Sequence, residues 1–366
     1  MAELAGFLAG CRVRLSAASA GPLLVVMGSP SADPDSLAGA VAYAYLRHHE
    51  LAPPSAAVPA ARVARAELSL RPEALELFRL AGLELAQLPC SDELDLPELA
   101  LGRAVVLALV DDDGRGLPQP LYARIREVVD HHPGAEPPPQ AETLLLAQVG
   151  STCTLVAEEI LRRRPGLMQR ELATLLLGAI LLDTANLAPE AGRATERDLR
   201  LAERLMGIAG LEGDGLYGRL LARRQELAQL GSPDLLRRDY KELRAGGVVF
   251  GLASVPLTLQ AWRERDPGLE GSLEVFRRSR GLELLLVLLY RQGSHFRRQL
   301  VVCASSGRLM GRVVQFLQEI PLELREIAAR HPGAADSPAV RFFEQGATEV
   351  SRKALQPLLR SFLEGL

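Results

Sequence analysis

Four short stretches in the first half of the chain carry carboxylates where an apolar run breaks off. They are Asp33 and Asp35 in "SADPDS", Asp111 to Asp113 in "LVDDD", Asp130 with His131 and His132 in "VVDHHPG", and Asp183 in "LLDTANL". One aspartate after a strand is ordinarily a turn residue or a helix cap. Four such motifs, three behind β-type runs and one behind a buried helix, form a set able to act together. Loops following the strands of a parallel α/β sheet gather along one edge, where such folds bind ligands. Two unit charges ~4 Å apart repel by about 4 kcal/mol at an effective dielectric of ~20, so carboxylates converging there need a cation. Hard oxygen donors with an imidazole suit manganese, magnesium or a similar divalent ion.

Other reactive residue types sort differently. Of 42 basic residues, only Lys241 in "RRDYKEL" and Lys353 in "SRKALQ" are lysine. Compositional chance would leave a few lysines in any such chain. The alternative is that both positions need a compact, flexible ammonium rather than a planar guanidinium, and the counts alone do not decide. His48 and His49 in "YLRHHELA" have no strand before them and read as a solvated helix end. Cys153 has no recognisable orienting base and reads as a packed core thiol.

The elements that must position these residues alternate. "LLVVM" (23–27), "AVVLALV" (104–110) and "EVV" (127–129) read as strands. Segments 36–49 and 71–82 have helical spacing, with Ser36 a candidate cap for the first. "GSTCTLVAEEILRRR" (150–164) starts a helix with hydroxyls, and 171–187 is a long buried helix running up to Asp183. This order predicts an α/β fold, with an N-terminal parallel sheet flanked by helices over 1–188. A linker helix is expected over 189–214. A smaller C-terminal α/β domain with a mixed sheet follows over 215–366; its strands lie at 247–255, 282–290 and 298–305, the last two as an antiparallel hairpin.

Net charge −3 argues against a nucleic-acid-coating surface, and the apolar run 282–290 is too short to span a bilayer. The N-terminus has its acid early and its arginines late, the reverse of a secretory leader. Four cysteines without C-x-x-C spacing indicate neither a zinc ribbon nor a disulfide framework. A cytoplasmic protein without nucleic-acid or membrane partners is expected.

Taken in order, the four acidic motifs resemble the DHH phosphoesterase superfamily. "RRDYKEL" and "SRKALQPLL" resemble the phosphate-binding motifs of the C-terminal domain shared by manganese-dependent inorganic pyrophosphatases, eukaryotic exopolyphosphatases and prune-type proteins. The resemblance spans nearly the whole chain, "GSTCTLV" and "RATERD" included, and the layout is most like prune-type exopolyphosphatases. It implies two divalent ions, manganese with magnesium or cobalt as alternates. Asp33 and Asp111 would hold one ion and Asp35, Asp111, His131 and Asp183 the other, with Asp111 bridging. His132, Lys241, Arg352 and Lys353 would grip phosphate oxygens, and Asp130 would orient a histidine. The substrate would close in a cleft between the two domains. The implied activity is metal-dependent hydrolysis of phosphoanhydride bonds, releasing terminal phosphate from short-chain polyphosphate by a water activated between the ions.

The chain departs from its relatives at two places. The pyrophosphatase branch has a metal-binding His where this chain has Ser29, which favours a substrate longer than pyrophosphate. Asp112, where relatives often carry His or Asn, offers a compensating carboxylate. Vertebrate prune proteins replace the last His of the D-H-H motif, whereas this chain keeps His132. A pyrophosphatase is the alternative, followed by a cyclic-nucleotide phosphodiesterase or a non-catalytic prune-like scaffold with protein partners. The single-strand exonuclease branch carries a later G-G-G-H motif that is absent here.

Overall fold

All five residues of Leu23–Met27 (β1) are buried, as expected of a strand covered on both faces. Around it lie the parallel strands β2 (Ala56–Ala60), β3 (Val105–Val110), β4 (Ile125–Asp130) and β5 (Thr143–Leu146), in the order β2-β1-β3-β4-β5. The strand order reverses between β1 and β3, so the loops leaving these two strands part there and open a crevice. The helices of this unit are α1 (Glu3–Ala9), α2 (Cys11–Ser16), α3 (Pro34–His48), α4 (Pro72–Leu80), α5 (Leu96–Gly102), α6 (Gln119–Tyr122), α7 (Thr152–Arg163), α8 (Arg170–Asp183), α9 (Glu196–Ala209) and α10 (Gly213–Gln225). Helix α3 packs on β1, β2 and β3, and one continuous apolar core joins sheet and helices.

This computed structural model describes residues 3–16, 21–114, 117–225, 230–291, 297–327 and 340–365. The chain divides into two compact units, 1–226 and 227–366. Helix α9, on the stretch read as a linker, packs on α7 and α8, while α10 packs on α4 and α8. Both amphipathic helices thus bury their apolar faces within the first unit.

The second unit holds a mixed six-stranded sheet in the order β10-β11-β9-β8-β7-β6. Its strands are β6 (Tyr240–Ala245), β7 (Val248–Val255), β8 (Leu284–Arg291), β9 (Arg297–Ala304), β10 (Leu324–Ile327) and β11 (Val340–Gln345); only β7 and β8 run parallel. Helices α11 (Ser232–Arg238), α12 (Leu259–Arg265) and α13 (Leu269–Ser279) share a core with Leu285, Val287 and Leu289. Helices α14 (Gly307–Glu319) and α15 (Arg352–Glu364) share the other with Leu284, Leu286 and Leu288. Because side chains alternate between faces, β8 is apolar throughout residues 284–289 and fills two cores. The expected hairpin pairing of β8 with β9 is present, with its turn at 292–296 outside the described residues.

Several local expectations need correction. Asp33, not Ser36, caps α3: its Oδ1 accepts the Ser36 amide at 3.0 Å, placing Ser36 within the first turn. The buried helix ends at Asp183 as expected, while Ala185, Asn186 and Leu187 after it all have left-handed backbones. His48 and His49 do lie at the end of α3 but are half-buried, with His48 5.2 Å from the Phe7 ring. Strands β2 and β5 escaped sequence reading because each is short; Pro59 in β2 also looks like a breaker, and it is tolerated on an edge strand.

Leu107 is fully buried at the centre of β3, whereas Leu101 is 89% exposed. Leu107→Ala should cost about 2–5 kcal/mol in urea unfolding, and Leu101→Ala close to nothing. Equal losses would contradict this packing.

Candidate metal centre

The loop leaving β1 opens the site. Gly28 is required there, because a Cβ would collide with the backbone and hydroxyl of Ser36. Buried Arg71, which sequence reading did not single out, donates from Nε (2.8 Å) and Nη2 (2.6 Å) to the Ser31 carbonyl and pins the loop. Ser31 donates to Asp33 Oδ2 at 2.9 Å, and its hydroxyl lies 2.6 Å from that of Ser29. Ser29 is therefore engaged in a hydroxyl chain ending on Asp33.

Asp35, 2% exposed, faces the start of α7. Its Oδ2 accepts the Thr152 amide (2.8 Å), and its Oδ1 accepts the Cys153 amide (2.9 Å) and the Ser151 hydroxyl. A helix N-terminus with free amides is a good seat for a carboxylate. Cys153 is fully buried and donates to the Asp35 carbonyl; burial foremost, then Asp35, push its thiol well above the usual range. It is a core thiol without thiolate character.

Asp111 leaves β3 with φ +64°, a left-handed conformation that a non-glycine residue adopts at a cost of about 1–3 kcal/mol. Its Oδ1 lies 3.5 Å from His131 Nε2, 3.6 Å from His132 Nδ1 and 3.5 Å from the Thr152 hydroxyl. His131 follows β4; its Nδ1 lies 2.9 Å from the Val149 carbonyl and Nε2 lies 4.0 Å from Asp35 Oδ2. A proton on Nδ1 donated to that carbonyl leaves the Nε2 lone pair directed at the acids, the tautomer a metal requires. His132 Nδ1 lies 2.8 Å from Asp130 Oδ1, which also accepts the His132 amide at 3.1 Å. Burial works to raise the Asp130 carboxyl, but these bonds to His132 outweigh it and hold the carboxyl low.

Ligand atoms of Asp111, His131 and His132 all lie within 4.8 Å of one another. His132, which the resemblance assigned to phosphate, is thus also placed among potential metal donors. Burial, together with Asp33 and Asp35, raises the Asp111 carboxyl against the pull of His131 and His132. Asp183, at the end of α8, is raised well above the carboxylate range by burial first, then by Asp35 and Asp33, with Arg224 opposing. The four acids therefore feel one another's charge. Burial works against a charged His131, yet Asp111, Asp35 and the Val149 carbonyl raise it overall. Carboxylate oxygens with a correctly oriented imidazole suit a divalent cation, which would replace the proton that the His131–Asp111 pair retains. Asp112, the carboxylate expected to compensate, already has partners: its Oδ1 accepts the Gly114 amide at 2.7 Å and pairs with Arg62 at 3.1 Å.

In the second unit, Lys241 is exposed on β6 and Arg352 opens α15. Asp239, just before β6, accepts from Arg352 Nη2 at 2.6 Å, which sets Arg352 beside the start of the Lys241 strand. Among the described residues, Arg352 Nε and Nη1 are buried without a hydrogen-bond partner. Lys353 follows on α15, with its side chain outside the described residues.

With this geometry, residues 24–180 match the DHH family, N-terminal domain, and 218–362 match the DHHA2 domain. The chain is a DHH-family protein. Its DHH domain contains every acid and histidine of the cluster except Asp183, which lies three residues past the match, and its DHHA2 domain holds Lys241, Arg352 and Lys353. The chain is similar to human exopolyphosphatase PRUNE1, at 29% identity over 98% of this chain and 79% of that protein. A putative exopolyphosphatase of Schizosaccharomyces pombe is 28% identical over 91% of this chain and 89% of that protein. A probable manganese-dependent inorganic pyrophosphatase of Oceanobacillus iheyensis is 26% identical over 63% of this chain and 70% of that protein. The crystal structure of a Methanococcus jannaschii putative family II inorganic pyrophosphatase shares the fold, with TM-score 0.61, 18% identity, and 93% of this chain and 99% of that one covered.

In the metal-free protein, the folded His131–Asp111 pair keeps protons that the unfolded chain releases near pH 4 and pH 6.5. Folded pKa values raised in this way give stability that is lost as pH rises, so the melting temperature should fall between about pH 6 and pH 9. A rise over that window would contradict the pairing. Asp111→Ala should weaken manganese binding by more than about 100-fold, beyond the 10–100-fold typical of residues that only orient a ligand. Near-native affinity in a titration of that variant would exclude Asp111 as a ligand.

Proposed function

We propose that this protein is a metal-dependent hydrolase of phosphoanhydride bonds, and specifically an exopolyphosphatase that removes terminal phosphate from short polyphosphate. The carrying observation is the meeting of Asp111, His131 and Asp35, with His131 Nε2 3.5 Å and 4.0 Å from the two carboxylates, at the strand-end edge of a parallel sheet. In this reading Asp33, Asp35, Asp111, His131 and Asp183 hold two divalent ions, manganese first among them, with Asp111 shared. Bound there, divalent ions would draw charge from phosphate oxygens and acidify a water nucleophile.

The chain's own residues do the rest. The Val149 carbonyl keeps His131 Nδ1 engaged, and the α7 amides hold the Asp35 side chain in place. Asp130 orients His132 through Nδ1, and as an imidazolium its Nε2–H would donate to a phosphate oxygen. Arg352, held at Nη2 by Asp239, has Nε and Nη1 to offer to phosphate; with Lys241 and Lys353 it would neutralise charge on the transferring and leaving groups. The likeness to exopolyphosphatase PRUNE1 and to the putative exopolyphosphatase of Schizosaccharomyces pombe supports polyphosphate as the substrate class. Ser29, spent in the hydroxyl chain to Asp33, supports the same choice over pyrophosphate.

Initial rates of phosphate release from tripolyphosphate, pyrophosphate and cyclic AMP, with manganese, magnesium, cobalt or chelator, test this. Tripolyphosphate should lead in a chelator-sensitive reaction; pyrophosphate in the lead would make the protein a pyrophosphatase. Silence on all three under every metal would leave a scaffold. Arg352→Ala should raise KM for tripolyphosphate by about 10–100-fold, the weight of a charged hydrogen bond, and an unchanged KM would remove Arg352 from the phosphate grip.

A further inference from the structure

Helix α9 reaches the metal centre through one residue. Asp198 is fully buried. Its Oδ2 accepts the Gly150 amide (2.8 Å), the Thr195 amide (2.7 Å) and the Thr195 hydroxyl (2.6 Å), and its Oδ1 accepts the Thr154 hydroxyl (2.6 Å). The Thr195 amide bond, with the Asp198 amide meeting the Thr195 side chain in return, forms a capping box that would stabilise α9 whatever lay beyond it. The bonds from Gly150 and Thr154 leave the helix and clamp segment 150–154 at both ends.

The Gly150 amide shares a peptide group with the Val149 carbonyl, and that carbonyl is the partner of His131 Nδ1 at 2.9 Å. A hydrogen-bonded chain therefore runs from His131 Nδ1–H to the carbonyl, across one peptide unit, and from the Gly150 N–H to the Asp198 carboxylate. A negative charge on the N–H side polarises the peptide and makes its carbonyl a stronger acceptor. A stronger bond at Nδ1 fixes the ring and makes Nε2 a better metal donor. The same clamped segment supplies the Ser151, Thr152 and Cys153 donors to Asp35. Gly150 is pressed against Thr184, next to Asp183, so closely that a Cβ would collide with it.

We propose that Asp198 is a positioning residue for the metal centre, acting on His131 through the Val149–Gly150 peptide and on Asp35 through the start of α7. It plays at one peptide's remove the part that a carboxylate bonded directly to a metal-ligating histidine plays elsewhere. The inference rests on the metal-binding reading of the cluster.

The test is manganese affinity of the metal-free protein, followed by the electron paramagnetic resonance signal of free manganese, beside thermal melting without metal. Asp198→Asn, which keeps the shape and removes the charge, should weaken manganese binding by about 10–100-fold. Thr154→Val, which loosens only Oδ1, should weaken it by a smaller factor in the same direction. Arg197→Ala breaks the surface Arg197–Glu158 pair that also ties α9 to α7; it should lower the melting temperature without changing affinity. Native affinity in Asp198→Asn would overturn the proposal and leave Asp198 a structural tie. Should that variant not fold, native affinity in Thr154→Val would overturn it equally. Wild-type protein that binds no manganese would instead sink the metal-centre reading on which the proposal depends.

Discussion

Burial first, and then the charge of neighbouring acids among Asp33, Asp35, Asp111 and Asp183, raises the Asp111 and Asp183 carboxyls, and the surroundings of the cluster answer that crowding. Like charges in a low-dielectric setting persist only where fixed dipoles or cations face them. Asp35 takes two backbone amides and a hydroxyl at the start of α7, Asp33 takes the Ser36 amide and the Ser31 hydroxyl, and Asp111 takes His131. The parallel sheet is the means to this end. It delivers two loops to the break in strand order between β1 and β3 and a third from β4 beside them, so aspartates distant in sequence become neighbours without a long ordered loop.

Precision in such a cluster comes from the groups behind it. Gly28 admits Ser36 against the first loop, Arg71 pins the Ser31 carbonyl, and Asp111 accepts a left-handed backbone to turn its carboxylate toward His131. Aspartate tolerates that conformation better than most residues, because its short polar side chain can bond locally. The two histidines of the D-H-H motif have different partners despite being adjacent: His131 meets a carbonyl and His132 a carboxylate. Neighbouring residues leaving a strand point different ways, so one motif can serve two roles.

In the second unit the anchored side chain is a cation. Arg352 is held through one nitrogen by Asp239, which fixes the guanidinium and leaves Nε and Nη1 unmatched among the described residues. A buried donor without a partner is costly, and such a cost is commonly tolerated where a ligand will meet it. Asp239 and Lys241 sit within "RRDYKEL", so a strand that is mostly exposed brings an anchoring acid and an ammonium beside the helix of Arg352.

Much of this was legible in one sequence. The acids behind β1, β3, β4 and α8 stand out as a set, since any one alone is ordinarily a turn residue or a cap, and the α/β alternation marks the parallel sheet that gathers them. The two lysines were conspicuous because composition made them rare, but only the resemblance of "RRDYKEL" and "SRKALQPLL" gave them a role. Tertiary structure alone decided the partners. Ser36 looked like the cap, but Asp33 is one turn closer to the free amides. Asp112 looked like a spare ligand, but Arg62, some fifty residues earlier, claims it. Asp198 looked like part of a linker, yet it binds the peptide that orients His131. Residue type and local period can be read along a chain, because they depend on neighbours a few positions away. Which carboxylate meets a metal, an arginine or a peptide depends on groups brought together only by packing, and no local pattern encodes that choice.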